Sequence, residues 1–119
     1  MRRVLLIEDD DATARALGEI LELEGYSVRR VRNGADAIAL LRGYTPDVVL
    51  VDLQLPVMDG RSFIEQYRRR VRPAASVVVM SGRTDGPAIA SAIGADGYVG
   101  KPLEASDLLR TLSAALTVA

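Results

Sequence analysis

Short runs of branched aliphatic residues alternate with helical patterns along the chain, and this alternation restricts the possible folds more than any other feature. Three of the runs are uninterrupted: "VLLI" at 4–7, "VVLV" at 48–51 and "VVVM" at 77–80. Shorter β-type pieces lie at 26–31 and 97–99. Continuous aliphatic runs are typical of strands that are covered on both faces, as in a parallel sheet.

Helical patterns fill the intervals between these runs. Apolar residues recur at helical spacing in four sets, which are Ala14, Leu17, Ile20 and Leu21; Ala37, Ile38 and Leu41; Phe63, Ile64, Tyr67 and Val71; and Leu108, Leu109, Leu112, Ala115 and Leu116. A further short helix is expected near residues 87–93, where Pro87 suits the first turn. Strands that alternate with helices predict right-handed βα units, and therefore an α/β three-layer sandwich of (βα)5 type around a parallel five-stranded sheet.

Several polar residues and one glycine match helix ends. Gly25 is suited to the position just after the first helix, and Asn33 to the N-cap of the second. Asp59, followed by glycine, favours a turn and helix start. Asp10 and Asp11 could cap the first helix or bind a ligand, and we favour capping or solvent exposure.

Composition excludes several classes of chemistry. The 119 residues include no cysteine and no histidine, which rules out disulfides, thiolate or imidazole catalysis, and metal sites built on those side chains. The net charge of −1 gives no general attraction to nucleic acid or membranes. No stretch approaches the ~20 apolar residues that a membrane span needs. We therefore expect one cytoplasmic domain over residues 1–119, with no direct nucleic-acid or membrane contact.

Polar side chains stand directly after four of the predicted strands. Four acids, Glu8, Asp9, Asp10 and Asp11, follow the first strand, and Asp52 follows the third, Ser81 the fourth and Lys101 the fifth. Because the carboxyl ends of parallel strands meet at one edge of the sheet, these groups should converge there. Crowded carboxylates favour a bound cation, and Mg²⁺ prefers carboxylate and phosphate oxygens. This pocket therefore suggests phosphoryl chemistry, with Asp52 as a candidate nucleophile.

Lys101 is the only lysine among the 15 basic side chains. An ammonium is a compact charge on a flexible stem, whereas a guanidinium is a rigid planar fork, so the two are not interchangeable at a phosphate and carboxylate site. We hypothesise that the geometry of this position requires lysine. The alternative is that one lysine remains by chance.

The segments "VLLIEDD", "DVVLVDLQLPVMDG", "VVVMSG" and "GADGYVGKP" together resemble the receiver domain of bacterial two-component response regulators. They occur in the same order and at matching separations over nearly the whole chain. The resemblance implies a flavodoxin-like fold with strand order 2-1-3-4-5. It also implies a phosphoacceptor signalling domain that takes a phosphoryl group from a partner phosphohistidine and is not an enzyme toward an external substrate.

The resemblance also implies roles for individual residues around the phosphoryl group. Asp52 would be the phosphoacceptor, and Lys101, followed by a cis peptide to Pro102, would contact the phosphoryl group. The Mg²⁺ ligands would be Asp9, Asp52, the backbone carbonyl of Gln54 and, through water, Glu8.

Two further residues would report phosphorylation to a partner. Ser81 would be the switch hydroxyl and Tyr98 the switch aromatic, although Tyr98 could also be an ordinary packing residue. Their movement would reshape the face formed by the fourth helix, the fifth strand and the last helix, where a downstream protein would bind. The phosphodonor would be a histidine kinase or a histidine phosphotransfer protein, and the absence of histidine from the chain agrees with this.

Other protein classes fit the sequence less well than a receiver domain. An aspartate-nucleophile phosphatase on a related α/β fold would need a second aspartate two residues after Asp52, where Gln54 stands. A flavin mononucleotide binder would need a phosphate loop after the first strand, and an inactive receiver would have a broken pocket. The basic run of Arg68, Arg69, Arg70 and Arg72 is interpreted as a solvated face.

One departure from the family pattern stands out. From Ser81 to Lys101 is 20 residues, about two fewer than the family leads us to expect. The fourth helix should therefore be short or displaced.

Overall fold

The computed structural model describes residues 2–117, in which strands and helices alternate. The elements in chain order are β1 (Arg3–Ile7), α1 (Asp11–Leu23), β2 (Ser27–Val31), α2 (Gly34–Leu40), β3 (Val48–Asp52), α3 (Gly60–Arg70), β4 (Ser76–Ser81), α4 (Gly86–Ala92), β5 (Gly97–Gly100) and α5 (Ala105–Thr117). All strand pairs are parallel, and the sheet order is β2-β1-β3-β4-β5. The predicted fold class and strand order are therefore confirmed.

The sheet separates two apolar cores, because alternate side chains of each strand point to opposite faces. In β1, Val4 and Leu6 join one core while Leu5 and Ile7 join the other. Helices α1 and α5 cover the first core, and α2, α3 and α4 cover the second. This arrangement explains why the central strands read as continuous aliphatic runs.

Three predicted helix caps are confirmed. The carboxylates of Asp10 and Asp59 and the side-chain carbonyl of Asn33 each accept a hydrogen bond, 2.8 Å long, from the backbone N–H three residues on. Gly25, with φ of 93°, follows the end of α1 in the left-handed region that glycine favours. Asp11 is the exposed first residue of α1 rather than its cap.

The short fourth helix is also confirmed, since α4 has 7 residues. The structure differs from the sequence analysis at the end of α3. Val71 lies just outside the helix in an extended conformation but still packs against the second core. Arg68 is not simply solvated: it donates hydrogen bonds of 2.7 and 2.8 Å to the carbonyls of Ile93 and Gly94, at the C-terminal end of α4.

Candidate functional site

Strand register brings the polar strand ends together. Ile7 pairs with Val51, so Glu8 and Asp52 follow neighbouring positions of adjacent strands. Asp52 pairs with Met80, and Ser81, the next residue of β4, pairs with Gly100. The predicted convergence at one sheet edge is therefore present in the structure.

Lys101 joins two buried carboxylates at this edge. Its Nζ lies 2.5 Å from Asp52 Oδ2 and 3.1 Å from Glu8 Oε1. Glu8 is fully buried and Asp52 is 4% exposed, whereas the Lys101 side chain is 28% exposed. Three charges are thus held with little solvent around the two acids, and the ammonium partly offsets their repulsion.

Burial and pairing act in opposite directions on these groups. Burial raises the pKa of Glu8 more than its hydrogen bonds from the Asp10 N–H and Lys101 lower it. Burial lowers the pKa of Lys101, but hydrogen bonding and attraction from Asp52 and Glu8 outweigh this, so the net pKa is raised. Lys101 is therefore a stable cation, while the buried setting of Glu8 favours its protonated form.

The same edge fits a divalent cation. Carboxylate oxygens of Glu8, Asp9 and Asp52 all lie within 4.8 Å of one another. Asp9 is exposed, so one side of this group is open to solvent. Three carboxylates with solvent access match the oxygen-rich coordination that Mg²⁺ prefers.

Backbone amides hold the two buried acids in position. The Gln54 N–H donates to Asp52 Oδ1 over 2.8 Å, and the Asp10 N–H donates to Glu8 Oε2 over 3.1 Å. The Gln54 side chain is exposed beside the acids. Each buried carboxylate therefore has one oxygen on a backbone amide and the other on Lys101.

Ser81 and Tyr98 lie next to Lys101. The Ser81 hydroxyl oxygen accepts a bond from the Arg83 N–H, and the Ser81 carbonyl accepts bonds from the Lys101 N–H and the Tyr98 hydroxyl at 2.9 and 3.0 Å. The bond from Lys101 to Pro102 is cis. Ser81 is thus in direct contact with both the Lys101 backbone and Tyr98.

Sequence reasoning missed two residues that support the acids. A Cβ atom on Gly60 would lie 2.6 Å from the Asp52 carbonyl oxygen, so glycine here lets α3 approach β3 closely. The Arg30 Nε donates to the Glu8 carbonyl over 2.9 Å, and Arg30 also pairs with Asp11 at 3.0 Å. The sequence signal available for Gly60 was the Asp59-Gly60 pair. The role of Arg30 could not be predicted without knowing that β2 is adjacent to β1.

Comparison with known proteins gives one consistent result. The family model described as "Response regulator receiver domain" matches residues 4–113. The chain is 38% identical over 118 residues to the transcriptional regulatory protein KdpE of Mycobacterium tuberculosis, covering 98% of this chain and 51% of that protein. It is 31% identical over 119 residues to the protein PilH of Pseudomonas aeruginosa, covering 98% of each. The chain therefore spans about half the length of some relatives, such as KdpE, and nearly all of others.

Solved structures agree with the sequence comparisons. A putative response regulator from Chloroflexus aurantiacus superposes with a TM-score of 0.90 at 26% identity, covering 97% of both chains. The chemotaxis response regulator CheY4 of Vibrio cholerae gives a TM-score of 0.88 at 26% identity, covering 97% of this chain and 98% of that one. Both similarities extend over nearly the whole chain.

Proposed function

Because the chain belongs to the response regulator receiver domain family, and is thus a phosphoacceptor signalling domain of a two-component system, we propose that Asp52 is the residue that receives the phosphoryl group. Receiver domains interact with histidine kinases or histidine phosphotransfer proteins. The observation that carries the proposal is the Lys101 ammonium, 2.5 Å from the Asp52 carboxylate at the open edge of the sheet. Among the clustered acids, Asp52 occupies the central strand and combines low exposure with this direct contact.

The transfer is a single displacement at phosphorus. A carboxylate oxygen of Asp52 forms the new bond to phosphorus, the bond from phosphorus to the donor imidazole nitrogen breaks, and its electron pair stays on that nitrogen. Lys101 is positioned to attract the incoming oxygens, and the buried setting strengthens this attraction. Meanwhile, the Gln54 N–H keeps the carboxylate oriented.

Mg²⁺ is the cofactor that the family typically uses, and it would neutralise charge on the transferred group. We propose that Asp9 and Asp52 bind it directly, together with the backbone carbonyl of Gln54, and that Glu8 binds through water. The clustered oxygens of the three acids support this assignment.

The output is a change in protein binding. Ser81 would turn its hydroxyl to the phosphoryl group and Tyr98 would follow, which would alter the face formed by α4, β5 and α5 for a downstream partner. The contacts of Ser81 with both Lys101 and Tyr98 support this coupling. No helix within residues 2–117 is both long and apolar enough to span a bilayer.

We further propose that residues 1–119 act as one receiver unit that catalyses only its own phosphorylation and dephosphorylation. Direct contact with nucleic acid is not part of this function. Nothing favours the phosphatase alternative, and Gln54 stands where that reaction would need an acidic group.

The proposal is tested by phosphorylation of the parent and an Asp52→Asn variant, with acetyl phosphate and Mg²⁺ and with a panel of autophosphorylated histidine kinases. We expect stoichiometric label in the parent and none in the variant. Asp10→Asn is the matched control, because asparagine can still cap α1 and the label should persist. Label retained by Asp52→Asn, or continuous hydrolysis of a phosphomonoester by the parent, would contradict the proposal.

A further inference from the structure

Gly86, the first residue of α4, is buried against the two proposed switch residues. A Cβ atom at this position would lie 2.6 Å from Tyr98 Oη and 3.1 Å from both Tyr98 Cε1 and Ser81 Cβ. Real Cβ atoms essentially never approach a heavy atom as closely as 2.6 Å. The Gly86 backbone is not in the left-handed region. A side chain at this position would therefore require the Tyr98 ring or the start of α4 to shift, whereas the backbone conformation itself does not call for glycine.

The segment between Ser81 and Gly86 is held together by its own bonds. The Ser81 hydroxyl accepts from the Arg83 N–H over 3.1 Å, and the Arg83 carbonyl accepts from the Gly86 N–H over 3.1 Å. Arg83 also makes two bonds, of 2.7 and 2.8 Å, to the carboxylate of Asp85. Ser81 is thus linked to the start of α4 through the backbone of one residue.

Tyr98 provides a second link between Ser81 and the start of α4. Its hydroxyl donates to the Ser81 carbonyl over 3.0 Å while its ring edge lies against Gly86. The ring is half-buried and packs against the core beneath α2, α3 and α4. A shift of the Ser81 backbone would therefore act on the ring through this hydrogen bond, and on the first turn of α4 through the backbone of Arg83.

We propose that Gly86 is a positioning residue of the switch: the absence of a side chain at this position seats the Tyr98 ring against α4, so that Ser81, Tyr98 and the first turn of α4 move as one unit. This inference rests on the proposed function. When the Ser81 hydroxyl turns to the phosphoryl group, its bond from the Arg83 N–H is lost and the segment up to Gly86 is released. The short α4 then responds at its N-terminal end, where the ring contacts it.

A double-mutant cycle tests the contact without any phosphorylation. Gly86→Ala should lower the urea midpoint of unfolding, and this loss should largely disappear in a Tyr98→Ala background, where the ring is gone. Gly82→Ala is the matched control in the same loop: its Cβ would meet only the Lys101 Cβ, at an ordinary 3.5 Å, so no loss is expected. Equal effects of the two alanines, or additivity of Gly86→Ala with Tyr98→Ala, would overturn the proposal.

A second measurement separates coupling from mere packing. Beryllofluoride with Mg²⁺, a stable mimic of the phosphoryl group, is added to the parent and to Gly86→Ala, and the amide chemical shifts of residue 86 and of residues 88–92 are followed by NMR. We expect the parent to show shifts throughout α4. We expect Gly86→Ala to bind the mimic, as judged by the Asp52 and Gln54 amides, but to lose most of the α4 response, while Gly82→Ala keeps it.

The unfolding measurements and the NMR measurements can fail independently of the proposed function, so the role of Gly86 and the role of Asp52 are tested separately. If the parent is not labelled at Asp52, the proposed function fails, but the stability cycle still decides whether Gly86 seats Tyr98. If the parent is labelled and Gly86→Ala retains the full α4 response, the coupling role of Gly86 is overturned and the phosphoacceptor assignment stands.

Discussion

The contacts of Lys101, the one lysine in a chain that otherwise uses arginine, suit a lysine better than an arginine. Its single Nζ lies within hydrogen-bond distance of carboxylates from two different segments, those of Glu8 and Asp52. A point-like ammonium can share its donors between two separately directed acids, whereas the planar fork of arginine is best suited to both oxygens of one carboxylate. The geometry therefore supports the hypothesis that this position requires lysine.

Replacing Lys101 with glutamine should be costly because it leaves two buried carboxylates unpaired. We expect a loss of about 3 kcal/mol in the free energy of unfolding at pH 7, the low end for broken buried pairs, because the Lys101 side chain is 28% exposed. The loss should shrink as pH falls, since Glu8, whose pKa is already raised, takes up a proton in the folded state. Urea titrations at several pH values measure both effects.

Two further variants complete the comparison. Arg69→Gln, on the exposed face of α3, is the control and should change stability little. Lys101→Arg should reduce labelling by acetyl phosphate. Normal labelling by Lys101→Arg would leave chance as the explanation for the lone lysine.

Asp85 gives a pH prediction away from the acidic cluster. The hydrogen bonds from Arg83 hold the pKa of the Asp85 carboxyl below its ordinary value. A depressed folded-state pKa contributes stability that is present above the unfolded pKa and is lost as pH falls through the folded value. In a carboxyl ¹³C NMR titration, Asp85 should titrate below the usual aspartate range, and Arg83→Gln should move it back. An unchanged midpoint in Arg83→Gln would show that the pair does not persist in solution.

The clustering of Glu8, Asp52 and Lys101 was predictable because strand ends converge, but the environment of each residue was not. Glu8 and Asp9 are adjacent in sequence, yet Glu8 is fully buried and Asp9 is exposed. Which of the two points inward depends on how the chain leaves β1, and no local pattern encodes that. Arg68 was misread for a similar reason, because its carbonyl partners lie 25 and 26 residues further along the chain.

At the scale of elements, the close packing of α3 on β3 depends on Gly60, which has no side chain at the first position of the helix. A Cβ on Gly60 would meet backbone atoms of Asp52 and Leu53 at 2.6 and 2.9 Å, and backbone cannot rotate away as a side chain can. Gly60→Ala should therefore destabilise the fold by roughly 1–3 kcal/mol, the cost of overpacking. Gly18→Ala, in the interior of α1, should instead stabilise by up to about 1 kcal/mol, because a Cβ there would meet only Glu22 Oε1, at an ordinary 3.9 Å. Urea unfolding of the two variants gives the comparison, and a neutral Gly60→Ala would contradict the close approach.

Arg68 should stabilise the C-terminal end of α4. It donates to the Ile93 and Gly94 carbonyls, which otherwise lack helix partners. We expect Arg68→Gln to speed hydrogen exchange in α4 and in the loop to β5, with little change in the central strands. Arg70→Gln, two residues further along and exposed, is the control. Uniform acceleration across the whole sheet would indicate general destabilisation instead.

Helices with a clear apolar stripe were the most predictable elements. The long helices α1 and α5 each carry a face that matches one core, and their interiors were correctly assigned from spacing alone. The positions of the helix ends were less predictable. Val71 continues the stripe of α3 in sequence but lies beyond the helix, because its packing against the core does not require helical backbone there.

On the scale of the whole molecule, alternation of strand and helix patterns was enough to predict a parallel sheet between helix layers. It was not enough to give the order β2-β1-β3-β4-β5, which came from the resemblance to a family. Right-handed crossovers leave more than one strand order possible, and the choice is made by contacts distant in sequence.

Magnesium should stabilise the folded protein through linkage, because the clustered acids exist as a group only when the chain is folded. At a Mg²⁺ concentration of 100 times the dissociation constant, we expect about 2.7 kcal/mol of added stability. Asp9→Asn should remove most of this increment, whereas Asp10→Asn should retain it. Thermal unfolding with and without a chelator measures the difference, and an equal Mg²⁺ effect in both variants would contradict the ligand assignment.

The pairing register of the strands determines where the chain can lose a residue without moving side chains to the wrong face of the sheet. Ser81 pairs with Gly100 at the end of β4, and the side chains of a strand alternate between faces. Deleting one residue inside β4 would move the Ser81 side chain to the opposite face of the sheet, whatever the neighbouring residues are. By contrast, a deletion between Gly82 and Asp96 would disturb α4 and its contacts but would leave the alternation of side chains in both strands unchanged, so it should displace fewer core residues than a deletion inside β4.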